Sequence, residues 1–246
     1  VPARRGSKRV ASLRHHDAVD SMTPRILYED NHLLVTVKPQ NMPTQADSSR
    51  DVDFLSVLKQ YIKEKYQKPG EVYLGLVHRL DRPAGGVMVF ARTSKAAARL
   101  GAQLKDGSFQ KKYYAVVTSA LPSSGTLEDY LLKDCKTNIS RAMPPDTPGA
   151  KHALLDYQVI GHVNGLFLLD ISLHTGRSHQ IRVQMQHAGA PLLGDIKYGG
   201  APAEKLSLWS HSLSILHPTK KERLTFPCPP PNQYPWNAFA GVIHPS

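Results

Sequence analysis

Hydrophobic positions along this chain fall mostly into short runs of strand length, interrupted by a few stretches with a helical period. Ile26–Tyr28 and Leu33–Val37 read as strands around the turn-forming Glu29-Asp30-Asn31, and Lys38–Pro43 breaks regular structure. Phe54, Val57, Leu58, Tyr61 and Ile62 recur at helical spacing and predict an amphipathic helix ending before Pro69-Gly70, with Tyr61 in the core. Val72–Val77 and Val87–Ala91 have the length and β-branched content of buried strands. Thr93 or Ser94 can cap a second helix, with Ala97, Leu100, Gly101 and Leu104 on one face and a stop at Asp106-Gly107.

The strand predicted over Lys111–Val117 puts Tyr113 and Ala115 on one face, Tyr114 and Val116 on the other. Further strands are expected at Leu127–Lys133, Ala153–Ile160, Leu166–Leu173, Leu208–Leu216 and Arg223–Phe226. Asn164-Gly165 is a hairpin signal and Met143–Gly149 a loop. Ser178 can cap a third helix whose Ile181, Met185 and Ala188 point inward, and Pro227–Pro231 is extended. About ten short strands with a few helices, not in strict alternation, predict a mixed α+β fold.

At 246 residues the chain is long enough for a full core, and one domain is the default. No run approaches the roughly 18 apolar residues of a membrane span. Lys plus Arg at 31 against Asp plus Glu at 20 leaves +11, which suggests a polyanionic partner, nucleic acid before an anionic membrane. Residues 1–25 carry Arg4, Arg5, Lys8, Arg9, Arg14 and Arg25 with no period and read as a mobile basic arm. Met22 offers another start, in which 1–21 are not native. Cys135 and Cys228 support neither a disulfide framework nor a structural zinc site, so a reducing, cytoplasmic setting is expected. His174, His179 and His187 do not share a helical face, and no metal site is expected there. Gly-rich phosphate loops are absent from the sequence, so no nucleotide cofactor is expected.

Between the apolar runs at 72–77 and 87–91 lies His78-Arg79-Leu80-Asp81-Arg82-Pro83-Ala84-Gly85-Gly86. It sets one carboxylate between two guanidiniums in a turn closed by Pro and a Gly pair. Asp81 held there suits a nucleophile or a base. A surface ion pair with Arg79 or Arg82 is the other reading, and the turn alone does not choose. A second stretch, His174–His187, places Arg182 beside an apolar edge, where a cation needs a carboxylate partner.

The His78–Arg82 turn, followed by small residues and an apolar strand, resembles the central motif of the RluA-type pseudouridine synthases. The resemblance runs from about Ile26 to Phe239. It also rests on Val37-Lys38-Pro39, on Lys111–Val117, and on Thr175–Arg182 continuing to Gly194-Asp195. It implies a mixed, mainly antiparallel central sheet with flanking helices and a basic catalytic cleft, formed by residues 26–246. It further implies isomerisation of uridine to pseudouridine in ribosomal or transfer RNA, without metal or cofactor, by a monomer.

Carried onto this sequence, the resemblance makes Asp81 the catalytic aspartate and Arg182 the arginine that pairs with it. Tyr113 becomes the tyrosine packing against the base and a candidate to take its C5 proton. Arg79 occupies the space left by the extracted uridine. His78 and Arg82 flank the site, and Arg177, Lys111 and Lys112 are candidate phosphate contacts. Two departures stand out: Ala84-Gly85-Gly86 where many members have Thr-Ser-Gly, and Gln184 where many have His. No room is expected for a separate S4-type RNA-binding domain. An inactive RNA-binding relative is the rival reading, disfavoured by Asp81, Tyr113 and Arg182 occurring together. A carboxylate hydrolase would want a second acid; Asp195 is the nearest by motif and reads as structural.

Overall fold

A computed structural model describes residues 22–243. The basic arm expected over 1–25 falls outside them up to residue 21, and Arg25 already opens the first strand. In chain order the elements are β1 (Arg25–Glu29), β2 (Leu33–Lys38), α1 (Phe54–Lys65), β3 (Gly75–Leu76), β4 (Gly85–Ala91) and α2 (Ser94–Asp106). There follow β5 (Gln110–Val117), β6 (Ser124–Asp134), β7 (Ile139–Met143), β8 (Lys151–Val163), β9 (Leu166–Leu173) and α3 (Gln180–His187). The last elements are β10 (Leu208–Leu216), β11 (Arg223–Pro227) and α4 (Ala240–Ile243).

The strands form one 11-stranded sheet ordered β1-β2-β4-β10-β5-β9-β8-β6-β7, with β3 on β4 and β11 on β10. All pairings are antiparallel except β4 with β10. The fold is therefore α+β with a mixed, mainly antiparallel sheet. Alternation divides the core in two. Leu34, Met88, Phe90, Tyr113 and Ala115 face α1 and α3 on one side. Leu33, Val35, Val89, Val116 and Leu213 face α2, Trp236 and Phe239 on the other. No helix among the described residues is long and apolar enough to cross a membrane.

The first two helices carry side-chain N-caps, the second at Thr93, one of the two residues expected for it. Asp53 accepts from the Ser56 amide at the start of α1, and Thr93 accepts from the Ala96 amide at the start of α2. Gly107, at φ 81°, ends α2 in the left-handed conformation. Asn164 and Gly165, both at positive φ, make the β8–β9 turn. The parallel pairing of β4 with β10 depends on the Gly pair. A Cβ on Gly86 would sit 2.2 Å from the Ser210 carbonyl oxygen, and one on Gly85 would strike the Trp209 ring.

Several expectations are corrected. The strand expected over Val72–Val77 shrinks to two residues: with Gly75 opposite Ala91, the last residue of β4, Val72–Leu74 run past the end of their partner strand. The buried centre of α2 is Ala96, Leu100 and Gln103, with Ala97 and Leu104 at its margin. Ser178 does not cap α3. His179 is the N-cap, left-handed at φ 56° and without a side-chain cap bond, and Ala188 is exposed. A strand missed in the polar stretch Ile139–Met143 forms the sheet's outer edge as β7.

Candidate active-site cleft

A cleft of about 1060 Å³ opens where the turn between β3 and β4 meets β5 and the segment leading into α3. Its charge is lopsided: Arg79, Arg82, Lys105, Lys111, Lys133, Arg177 and Arg182 line it, against Asp47 and Asp81. Asp81 sits in a turn closed by the Ala84 amide donating to the Asp81 carbonyl at 3.0 Å. The turn is fastened from one side by the segment after β2. Lys38 Nζ donates to the carbonyls of Pro39, Met42 and Arg82 at 2.9, 2.7 and 3.2 Å. Gln40 donates to Pro83 and Leu206, and Thr44 to Leu80. The carbonyls of Leu80, Arg82 and Pro83 are thus all held, which fixes the backbone on both sides of Asp81.

Lys38 is fully buried. Burial pushes its pKa down to about 7, with the Asp81 carboxylate acting the other way. Lys38-Pro39 was part of the sequence motif, but a site role for Lys38 was not foreseen. Its one sequence signal is a lysine ending an otherwise apolar strand, Leu33–Lys38.

Arg182, buried in the first turn of α3, reaches Asp81 from the opposite side. Its Nη1 lies 3.4 Å from Asp81 Oδ2. Its stronger partner is Asp195, which accepts from Nε and Nη2 at 2.8 Å each and is itself buried. Burial disfavours the guanidinium cation, but the bonded Asp195 outweighs this and Asp81 adds to it, so the Arg182 pKa is raised. The expectation that Asp195 is structural fits this geometry. The Tyr198 ring lies under the guanidinium, 4.9 Å from its centre. Tyr198 Oη accepts the Ser140 amide at 3.0 Å and lies 2.6 Å from His179 Nδ1. That network links α3 to β7, and neither Tyr198 nor His179 was foreseen as part of the site.

Tyr113 is buried on the cleft face of β5, and Tyr114 faces the other side of the sheet, as alternation requires. Burial raises the Tyr113 pKa and the nearby Asp81 charge raises it further, so the phenol keeps its proton. His78 packs its ring edge-on against Phe109 and accepts the Val89 amide on Nε2 at 3.1 Å. Desolvation, aided by the Lys111 charge, lowers its pKa to about 3, which keeps it neutral.

The other candidate residues divide. Arg79 is exposed in the cleft and makes no side-chain bond among the described residues. Arg82 lies at the rim but is engaged by Asp51, by Asp47 at 3.9 Å and by Ser49 Oγ at 3.1 Å. Arg177 lines the cleft with its Nε donating to the His152 carbonyl at 2.7 Å. Lys111 is in the cleft, but Lys112 is not. One residue along a strand reverses direction, and Lys112 pairs with Asp170 at 3.3 Å behind the sheet. His174, His179 and His187 go to Asp156, Tyr198 and Asp129 respectively.

Comparison with known proteins agrees with this geometry. The family model described as RNA pseudouridylate synthase matches residues 32–187. Ribosomal large subunit pseudouridine synthase D of Pseudomonas aeruginosa is 30% identical over 228 residues, covering 86% of this chain and 69% of that protein. An uncharacterized RNA pseudouridine synthase of Bacillus subtilis is 32% identical over 213 residues, covering 84% of this chain and 72% of that protein. Among solved structures, Human RNA Pseudouridylate Synthase Domain Containing 4 superposes with a TM-score of 0.70 at 24% identity. That match covers 83% of this chain and 87% of the human one, and it bears on the fold. The chain, with its basic cleft around Asp81 and Arg182, belongs to the RNA pseudouridylate synthase family of isomerases.

Proposed function

We propose that this protein isomerises uridine in large-subunit ribosomal RNA and that Asp81 carries the reaction. The observation behind this reading is the position of Asp81, one quarter exposed in a cleft whose charged lining is mostly cationic. Breaking the glycosidic bond builds positive character at the sugar, which a carboxylate can stabilise or attack. Arg182, fixed by Asp195, meets that carboxylate with Nη1 and orients it.

Tyr113, a neutral phenol beside Asp81, offers a face for the extracted base. Extraction costs a few kcal/mol, which phosphate contacts along the basic cleft offset. Arg79, exposed in the cleft, is suited to fill the gap that the uridine leaves. The rest is assigned to protein side chains acting in a monomer without cofactor, within one catalytic domain over residues 26–246. The names of several relatives favour the large ribosomal subunit over transfer RNA.

The test is tritium release from RNA labelled at uridine C5, with unmodified ribosomal and transfer RNA supplied separately. Release from the ribosomal pool is expected. Release from transfer RNA alone would overturn the assigned substrate, and release from neither would overturn the reading as a whole.

A further inference from the structure

Lys111 and Tyr113 lie two residues apart on the cleft face of β5, and both are buried. Tyr113 has a place in the uridine site. Lys111 is 8% exposed, and its ammonium makes no hydrogen bond or ion pair among the described residues. A cation so placed is costly until something negative reaches it. Burial and then the Arg177 charge lower its pKa to about 8. A Cβ on Gly176 would lie 3.4 Å from Lys111 Nζ, so the ammonium rests against bare backbone in the Thr175-Gly176-Arg177 turn.

A second unpartnered donor lines the same cleft. His78 accepts the Val89 amide on Nε2, so the neutral ring carries its proton on Nδ1. That Nδ1 is buried and has no acceptor among the described residues. Arg177 gives its Nε to the His152 carbonyl, and its two Nη groups make no bond among the described residues. These groups are all donors, and two of them are cationic. A neutral uracil carbonyl would leave both positive charges unanswered, whereas a phosphodiester supplies an opposing charge and several oxygen acceptors for their hydrogens.

We propose that Lys111, with His78 and Arg177, forms a phosphodiester subsite for the RNA phosphate adjoining the isomerised nucleotide. Two residues along β5 span about 6.6 Å, which sets the phosphate within one nucleotide of a base lying on Tyr113. Anchoring there would hold the nucleotide in its extracted position. The inference rests on Asp81 and Tyr113 marking the uridine site.

The test uses the full chain carrying Asp81→Asn, which prevents turnover, and unmodified transcribed large-subunit ribosomal RNA as probe. Binding is measured against potassium chloride concentration. Lys111→Met is expected to weaken binding about tenfold. It should also flatten the slope of log affinity against log salt by about 0.7, the value of one single-strand phosphate contact. Lys111→Arg should restore the slope, and Lys112→Met, behind the sheet, should leave it unchanged. An unaltered slope in Lys111→Met, or an equal change in Lys112→Met, overturns the subsite. Should Lys111→Met not fold, acetylation of the unsubstituted chain decides: RNA must shield Lys111 more than Lys112, and equal labelling overturns it. Tritium release by the unsubstituted chain is read separately. Its absence alongside a Lys111-dependent slope removes the reaction assignment and leaves an anion subsite.

Discussion

Arg182 donates Nε and Nη2 to Asp195 at 2.8 Å each and meets Asp81 with Nη1 at the longer distance of 3.4 Å. The arginine is thus anchored by one carboxylate in order to be presented to another. Asp195→Asn keeps the shape but leaves a buried cation without its anion, and should cost about 3–5 kcal/mol of stability. Arg182→Lys keeps the charge but cannot form the paired bonds and the third contact together. Urea unfolding should show both losses, and tritium release should fall in both. Unchanged stability and turnover in Arg182→Lys would contradict this division of roles.

Lys38 acts on the site through backbone alone. Lys38→Met fills similar space but leaves the carbonyls of Pro39, Met42 and Arg82 without their donor. The expected cost is about 1–3 kcal/mol, since a buried acceptor loses its partner. Because the Arg82 carbonyl adjoins Asp81, kcat should fall more than KM rises. An equal fall in RNA affinity would instead place Lys38 in binding.

Gly86 and Gly107 both have positive φ, but of the two only Gly86 is also crowded. Gly107→Ala meets open space and should cost about 1–2 kcal/mol from the backbone conformation. Gly86→Ala drives a Cβ into the Ser210 backbone and should cost well over about 3 kcal/mol or prevent folding. Thermal unfolding of the two variants side by side checks the contrast.

His78 should be silent over the range where exposed histidines titrate. Its folded pKa of about 3 lies below the ordinary value of 6.5. The unfolded chain therefore takes up a proton between these limits that the native chain refuses. The His78 contribution consequently lowers stability as pH falls from 6.5 towards 3 and vanishes above that window. Nitrogen NMR should find a neutral ring with the proton on Nδ1 at a pH of about 5, inside that window. A charged ring there would also remove His78 from the proposed subsite as a neutral donor.

Much of this architecture was legible because alternation and capping are local. Tyr113 and Tyr114 divide between the two cores as a strand requires, and Thr93 and Gly107 bound α2 as their side chain and conformation allow. What was not legible depends on partners distant in sequence. Val72–Leu74 has strand composition but runs past Ala91, where β4 ends, and so has no partner strand there. Lys112 shares its neighbour's charge, yet the sheet sends it to Asp170. The motif named Asp81 and Arg182, but not that Asp195 would hold Arg182 more closely than Asp81 does. Lys38, His179 and Tyr198 acquire their places only when the 38–44 segment and β7 close around the motifs.

The most direct measurement is tritium release from C5-labelled large-subunit ribosomal RNA by the native chain, Asp81→Asn and Asp81→Ala. Native release with loss in both variants, while each still folds and binds RNA with salt sensitivity, is the expected result. Asn is nearly isosteric, so its loss would trace the chemistry to the charge rather than to packing. Release that persists in Asp81→Ala would contradict the assignment of the reaction to this aspartate.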